Sequence, residues 1–225
     1  MPTNGCSANN SKSLPQALID LAVEALVVPA VARTDTVSMG FDGSLTNQLL
    51  IAMPGMADPN FSTTVTLICE HNDDGALGIV INRPLDLKLA GLFEQLDVSD
   101  PDPATANYPV LMGGPVGSER GFVLHDPGGT YENSLAVSDV IHLTLSRDVI
   151  DAMATGNGPN KSLVALGYAG WQPGQLESEM LANSWLNVPA SADIVFDAPF
   201  DKRWTLAAQT LGIDISRISP DAGHA

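Results

Sequence analysis

The tripeptide "CEH" at residues 69–71 sets a thiol, Cys69, two positions from an imidazole, His71. On a β-strand that spacing turns both side chains to one face. A cysteine nucleophile needs a base about 3 Å away, and residues i and i+2 lie too far apart along a strand for an easy direct hydrogen bond. His125, from a different segment, is therefore the better base, and a Cys69 pair with His71 or His125 would suit a hydrolase or transferase. The same residue types bind zinc, but a structural site needs four ligands and a catalytic one three. His125, Asp126 and His142 are the remaining candidates by type, and neither C-x-x-C nor H-E-x-x-H accompanies them. No metal and no cofactor is implied, and the plainer reading of Cys69 is a buried, inert thiol.

Two further stretches offer binding chemistry. "GGPVGSERG" supplies Gly113, Gly114 and Arg120, and "INRP" supplies Arg83. Glycine-turn amides and two guanidinium groups would form a concavity for a small anion such as a carboxylate or phosphate. Against this, 26 acids stand beside 10 basic residues, so both arginines have abundant carboxylates to pair with. "GYAGWQPGQLESEM" (167–180) fits neither a Walker spacing nor G-x-G-x-x-G. Glu177 and Glu179 favour the start of a helix but would repel a phosphate there. The glycines read as a tight strand-to-helix turn, and Trp171, Gln175 and Glu177 as the rim of a pocket where strand meets helix.

The elements that must position these groups follow from the hydrophobic pattern. "LLIAM" (49–53), "STTVTLICEH" (62–71) and "ALGIVIN" (76–82) read as strands, the last two joined by the turn residues 72–75. Asp86 is expected to cap a helix whose stripe is Leu89, Leu92, Phe93 and Leu96. Residues 97–108 read as an acidic surface loop. "YPVLMGG" and "GFVLH" read as strands on either side of a Gly/Pro-rich turn, and "SLAVS" and "VIHLTLS" continue the β pattern. Ser146 opens a helix with Asp148 in its first turn and Gly156 beyond its end. "SLVALGYAG" reads as a central strand, followed by a helix over 174–182, the run "ADIVF" (192–196) and a last helix over 200–211. Hairpins mixed with β–α–β order predict an α+β fold with a mixed sheet.

The chain of 225 residues is 44% hydrophobic and carries a formal net charge of −16, enough apolar content for one core and too acidic for a phosphate-seeking surface. No helix gathers Lys or Arg, so direct DNA binding is not expected. Two cysteines exclude a disulfide framework and fit a reducing cytoplasm. The apolar stretch 14–32 is interrupted by Asp20 and Glu24, which disfavours an export signal or a membrane span and leaves a short surface helix over 15–27. Residues 1–44 read as a flexible extension, or as sequence ahead of a true start near Met39. Residues 45–215 read as one domain and 216–225 as a tail.

"LLIAMPGMADPNFSTTVTLICEHNDDGALGIVINRP", "YPVLMGGPVGSERGFVLH" and "GYAGWQPGQLESEMLANSWL" together resemble the AlgH/YqgE family of bacterial proteins. The resemblance spans about residues 45–212 and implies a single domain with a strongly bent mixed sheet, a pseudo-barrel, flanked by helices. Family members carry a transcriptional-regulator label without an established biochemical activity. The resemblance thus points to a non-enzymatic cytoplasmic binding or regulatory protein, acting through a protein partner or a small anion. The alternative is the Cys69 hydrolase or transferase.

Overall fold

The computed structural model describes residues 43–98 and 101–215. The expected extension, its helix over 15–27 and the tail 216–225 lie outside them, apart from residues 43–44.

Ten strands form a strongly curled, half-barrel sheet. They are β1 (Gln48–Ala52), β2 (Val65–Asn72), β3 (Gly75–Val80), β4 (Pro84–Lys88), β5 (Pro109–Met112), β6 (Val116–His125), β7 (Ser134–Ala136), β8 (His142–Thr144), β9 (Ser162–Trp171) and β10 (Trp185–Pro189). The order along the sheet is β10-β1-β2-β3-β9-β6-β8-β7, with β4 and β5 joining off the path. All pairings are antiparallel except β5 with β9, so the sheet is mixed. The helices are α1 (Leu89–Gln95), α2 (Pro103–Ala106), α3 (Arg147–Ala154), α4 (Gln175–Leu181) and α5 (Arg203–Gln209), with a π-helical turn at Asp193–Asp197. The α+β class and the bent mixed sheet expected from the sequence are what the chain forms.

Strand alternation sorts the apolar residues into layers. Leu49, Ile51, Val65, Leu67, Ile79 and Leu124 fill the main core, which the π-helical turn and Ala207 and Ala208 of α5 close. On the other face of β9, Val164 and Leu166 pack beneath α1 and α3, using Leu89, Leu92, Phe93, Ile150 and Met153. Further along, Ala169 and Trp171 pack with Leu176 of α4 and Trp185 of β10. β9 thus serves three apolar clusters, which explains its near-continuous run of buried residues.

Several local expectations are corrected. Asp86 caps no helix, because Leu85 and Leu87 alternate with exposed residues as strand β4 and the helix starts only at Leu89. The loop over 97–108 contains α2, whose Asp102 carboxylate accepts the Thr105 N–H at 3.0 Å with Pro103 at the first turn. The Gly/Pro-rich turn is shorter than expected, since Val116 already begins β6. The run 192–196 falls within and just ahead of the π-helical turn Asp193–Asp197, and β10 is a strand the hydrophobic pattern does not reveal.

Candidate functional site

The expected Cys69–His pairs do not form. A β-bulge between Ile68 and Glu70 inserts Cys69 as an extra residue, which breaks the period-two alternation. Cys69 consequently joins the main core with Leu67, while His71 pairs with Ala76, which packs on the Trp171 cluster. Burial, with Glu70 beside it, pushes the thiol pKa far up, so no thiolate is present at neutral pH. His71 is committed elsewhere: its Nδ1 accepts the Leu45 N–H at 2.9 Å, so Nε2 carries the hydrogen and donates to Glu177 Oε1 at 2.9 Å. The ring thereby ties residues 44–46 and β2 to α4.

The residues expected at the rim of a pocket do assemble, around a carboxylate the motif reading did not single out. Glu179 Oε2 accepts the indole N–H of Trp171 at 2.9 Å and of Trp185 at 2.8 Å, and its Oε1 accepts from Gln175 at 2.9 Å. Phe61 packs against both indoles, 6.1 Å from Trp171 and 5.4 Å from Trp185 by ring centroids, and the indoles meet each other at 6.1 Å. Both tryptophans are buried, so this is a filled aromatic cluster under α4 and not an open cavity. Gln175 and Glu177 sit at its edge.

The arginine–glycine concavity is not assembled either. Arg83 donates from Nη1 to the Pro59 carbonyl at 2.9 Å and from Nη2 to that of Ser62 at 2.8 Å, clamping the loop after β1. Gly113 N–H donates to Leu166 O at 2.8 Å. A Cβ on Gly113 would stand 2.2 Å from Gly167 O, and one on Gly114 2.1 Å from the Tyr168 carbonyl carbon. These glycines exist so that two backbones can touch, which leaves no room for an anion between them. Arg120 lies over Gly117, half-exposed, with Glu119 Oε1 3.9 Å from its Nε.

Two features arise on the face of the sheet that carries α1 and α3. The first is an apolar cavity of about 40 Å³ lined by Leu92, Leu96, Gly121, Val123, Ile150 and Leu166. Arg147 stands at its rim, half-exposed, donating from Nη2 to Leu96 O at 3.0 Å and pairing with Asp151 at 3.3 Å. A Cβ built on Gly121 meets nothing within 4 Å, so the cavity has spare width at that point. The second is a chain of polar groups beside it. His125 is fully buried, with Nδ1 2.6 Å from Asp126 O and Nε2 2.8 Å from Thr144 Oγ1, and Thr144 Oγ1 lies 2.5 Å from Ser134 Oγ. Burial and the neighbouring His142 hold the His125 pKa below its ordinary value, against the opposing pull of the Asp126 carbonyl and carboxylate. The ring is therefore neutral at pH 7.

A family model described as AlgH-like (DUF179) matches residues 49–216. The chain belongs to the AlgH-like family. A UPF0301 protein of Cupriavidus metallidurans is 55% identical over 182 residues, covering 81% of this chain and 96% of that one. The UPF0301 protein Tgr7_2910 of Thioalkalivibrio sulfidiphilus is 54% identical, covering 83% of this chain and all of its own length. The solution structure of the AlgH protein from Pseudomonas aeruginosa matches with a TM-score of 0.68 at 46% identity, over 84% of this chain and 100% of that one. The crystal structure of DIP2367 from Corynebacterium diphtheriae, 19% identical with a TM-score of 0.61, covers 76% of this chain and 88% of its own and shares the fold.

In this AlgH-like protein the sequence candidates fall into separate places. Trp171, Gln175, Glu177 and His71 come together on the outer side of β2, β3 and β9. Cys69 lies in the main core, and His125 sits near the end of β6. Arg83 is bound to the loop carbonyls of Pro59 and Ser62, and Arg120 stands beside Glu119. Glu179, Thr144 and Ser134 were not among the expected residues. Glu179 is legible as an i+4 partner of Gln175 on one helix face, whereas the Thr144–Ser134 contact depends on β7–β8 register. Among the described residues no helix is long and apolar enough to cross a membrane.

Proposed function

We propose that this AlgH-like protein is a non-enzymatic cytoplasmic binding protein that acts in regulation through a protein partner and does not itself read DNA. The partner places one apolar side chain in the cavity between α1, α3 and the sheet. The observation that carries this reading is the cavity itself, an apolar recess of about 40 Å³ with a charged arginine at its rim. The charge balance supports a protein partner over a nucleic acid, since a formal net charge of −16 opposes every approach of a phosphate backbone. The commitment of Cys69, His71 and Arg83 to structural contacts supports binding over catalysis.

Gly121→Met fills the recess from within at a position where a Cβ meets nothing within 4 Å, so the fold tolerates it. A photo-crosslinking residue in place of Arg147 should capture one recurring partner in cells. Gly121→Met, combined with it, should lower that capture at least tenfold while the melting curve stays unchanged. Capture that Gly121→Met does not alter would overturn the cavity as the docking point. Sub-micromolar, sequence-specific DNA binding at physiological salt would overturn the partner-mediated reading.

A further inference from the structure

The polar chain beside the cavity has a direction fixed by chemistry. A carbonyl oxygen only accepts, so the hydrogen between His125 and Asp126 O sits on Nδ1. The neutral ring then has one lone pair left, on Nε2, and the Thr144 hydroxyl 2.8 Å away must donate to it. Having spent its only hydrogen, Thr144 Oγ1 must accept from Ser134 Oγ, 2.5 Å away. His125 and Thr144 are wholly buried and Ser134 is exposed, so a buried base is wired through one hydroxyl to a second hydroxyl on the surface. β-Sheet register holds the three in line: Ser134 pairs with Thr144 across β7 and β8, and His125 pairs with His142 across β6 and β8. Tyr131 and His142 meet the imidazole edge-on at 5.3 Å and 5.7 Å, fixing its plane.

From this geometry we propose that Ser134 is a covalent modification site, an activated hydroxyl that takes up an acyl group from an activated ester or thioester. The acceptor favours a neutral acyl group over a phosphoryl group because Glu132 lies two residues ahead of it and the Glu132 backbone holds a second carboxylate, Asp148. Asp148 Oδ2 accepts the Glu132 N–H at 2.8 Å, and Asp126 and Asp148 both act on Tyr131. In the step, Ser134 Oγ attacks the acyl carbon and a new O–C bond forms. The Ser134 hydrogen passes to Thr144 as the Thr144 hydrogen passes to His125 Nε2. The bond between the acyl carbon and the leaving oxygen or sulfur breaks, and the leaving group departs as the phenolate, alkoxide or thiolate. The imidazolium later returns its proton to solvent. Ser134 is the group that touches the donor, while Thr144 and His125 act through it as positioning and relay residues. The inference goes beyond the partner reading and does not depend on it, because the acceptor Ser134 lies outside the cavity lining and Ser134→Ala tests it with the cavity intact.

The test uses the full chain with 4-nitrophenyl acetate as donor. Released 4-nitrophenolate should reach one equivalent per chain, with the added acetyl mapping to Ser134 by peptide mass analysis. Ser134→Ala should abolish that label. Thr144→Val and His125→Gln should each slow it at least tenfold with Ser134 still present. Thr144→Ser should restore the rate to within about threefold, which a purely structural role for Thr144 does not predict. Nitrogen-15 NMR of His125 should show Nδ1 protonated and Nε2 accepting in the parent, a signature independent of whether any variant folds. Labelling confined to lysines, labelling of Ser134 equally fast in urea, or an Nε2-protonated ring would overturn the proposal.

Discussion

Replacing Glu179 by methionine keeps the length of the side chain and removes both acceptor oxygens. Three donors then lose their partner: the indole N–H of Trp171, that of Trp185, and the Gln175 amide. Gln175 is exposed and turns to water at little cost. The indoles belong to residues 5% and 3% exposed, so their N–H groups have no ready alternative. A buried donor left unpaired costs about 1–3 kcal/mol, which gives about 2–6 kcal/mol for the pair. Because Glu179 is only half-buried, water reaches part of the vacated site, and the expected loss is about 2–4 kcal/mol. Urea unfolding followed by tryptophan fluorescence and by circular dichroism measures it, the second signal guarding against a change in indole emission alone. Glu179→Gln keeps one acceptor oxygen for the indoles and should cost only about 1 kcal/mol. A Glu179→Met variant within about 0.5 kcal/mol of the parent would refute the reasoning. So would a Glu179→Gln loss equal to it.

Gly113→Ala drives a Cβ to 2.2 Å from Gly167 O and should cost about 3 kcal/mol by denaturant unfolding. Gly174→Ala, with φ +73 and no atom within 4 Å, should cost only about 1 kcal/mol for its left-handed backbone. His125 has a folded pKa below the value of about 6.5 it holds in the unfolded chain, so the unfolded state binds more protons between the two. Its contribution is therefore fully present above about pH 6.5 and is lost as pH falls through the lower, folded value. The stability difference between parent and His125→Gln should shrink on acidification from pH 7 to 5, and parallel curves would refute the assignment.

How far the sequence reveals the fold depends on the physical range of each signal. The hairpin of β2 and β3, the apolar stripe of α1 and the long buried run of β9 are local patterns, and each appears where its residues predict. The strand at Pro84–Lys88 was legible in the alternation of Leu85 and Leu87, but a helix-capping aspartate competes with it in the same stretch. That Cys69 and His71 take opposite faces is not legible, because one bulge residue reverses the alternation between them and nothing in "ICEH" marks it. Likewise the partners of Arg83 are not legible, since the sequence offers it carboxylates or a small anion and the fold gives it the loop carbonyls of Pro59 and Ser62. The tryptophan–carboxylate cluster joins Trp171, Glu179 and Trp185 within a short span and was partly visible as the motif over 167–180. The His125–Thr144–Ser134 chain needs three strands in register and leaves no trace in spacing.

The first strand of the sheet finds its outer neighbour almost at the end of the chain. β1 lies between β2 and β10, and the side chains of Gln48 and Asn187, 139 positions apart, meet at 3.2 Å. On a ribosome, β1, β2 and β3 emerge long before either strand that must flank them, β9 on one side and β10 on the other. Until then two rows of backbone donors and acceptors are open to any other extended chain. Such late closure makes folding slow relative to a chain of local hairpins, since the entropy of the large loop is lost before the final contacts form. It also ties the fate of the first strand to the completion of synthesis: a transcript cut short before Trp185 yields a protein with an apolar open edge, a ready substrate for chaperones and proteases.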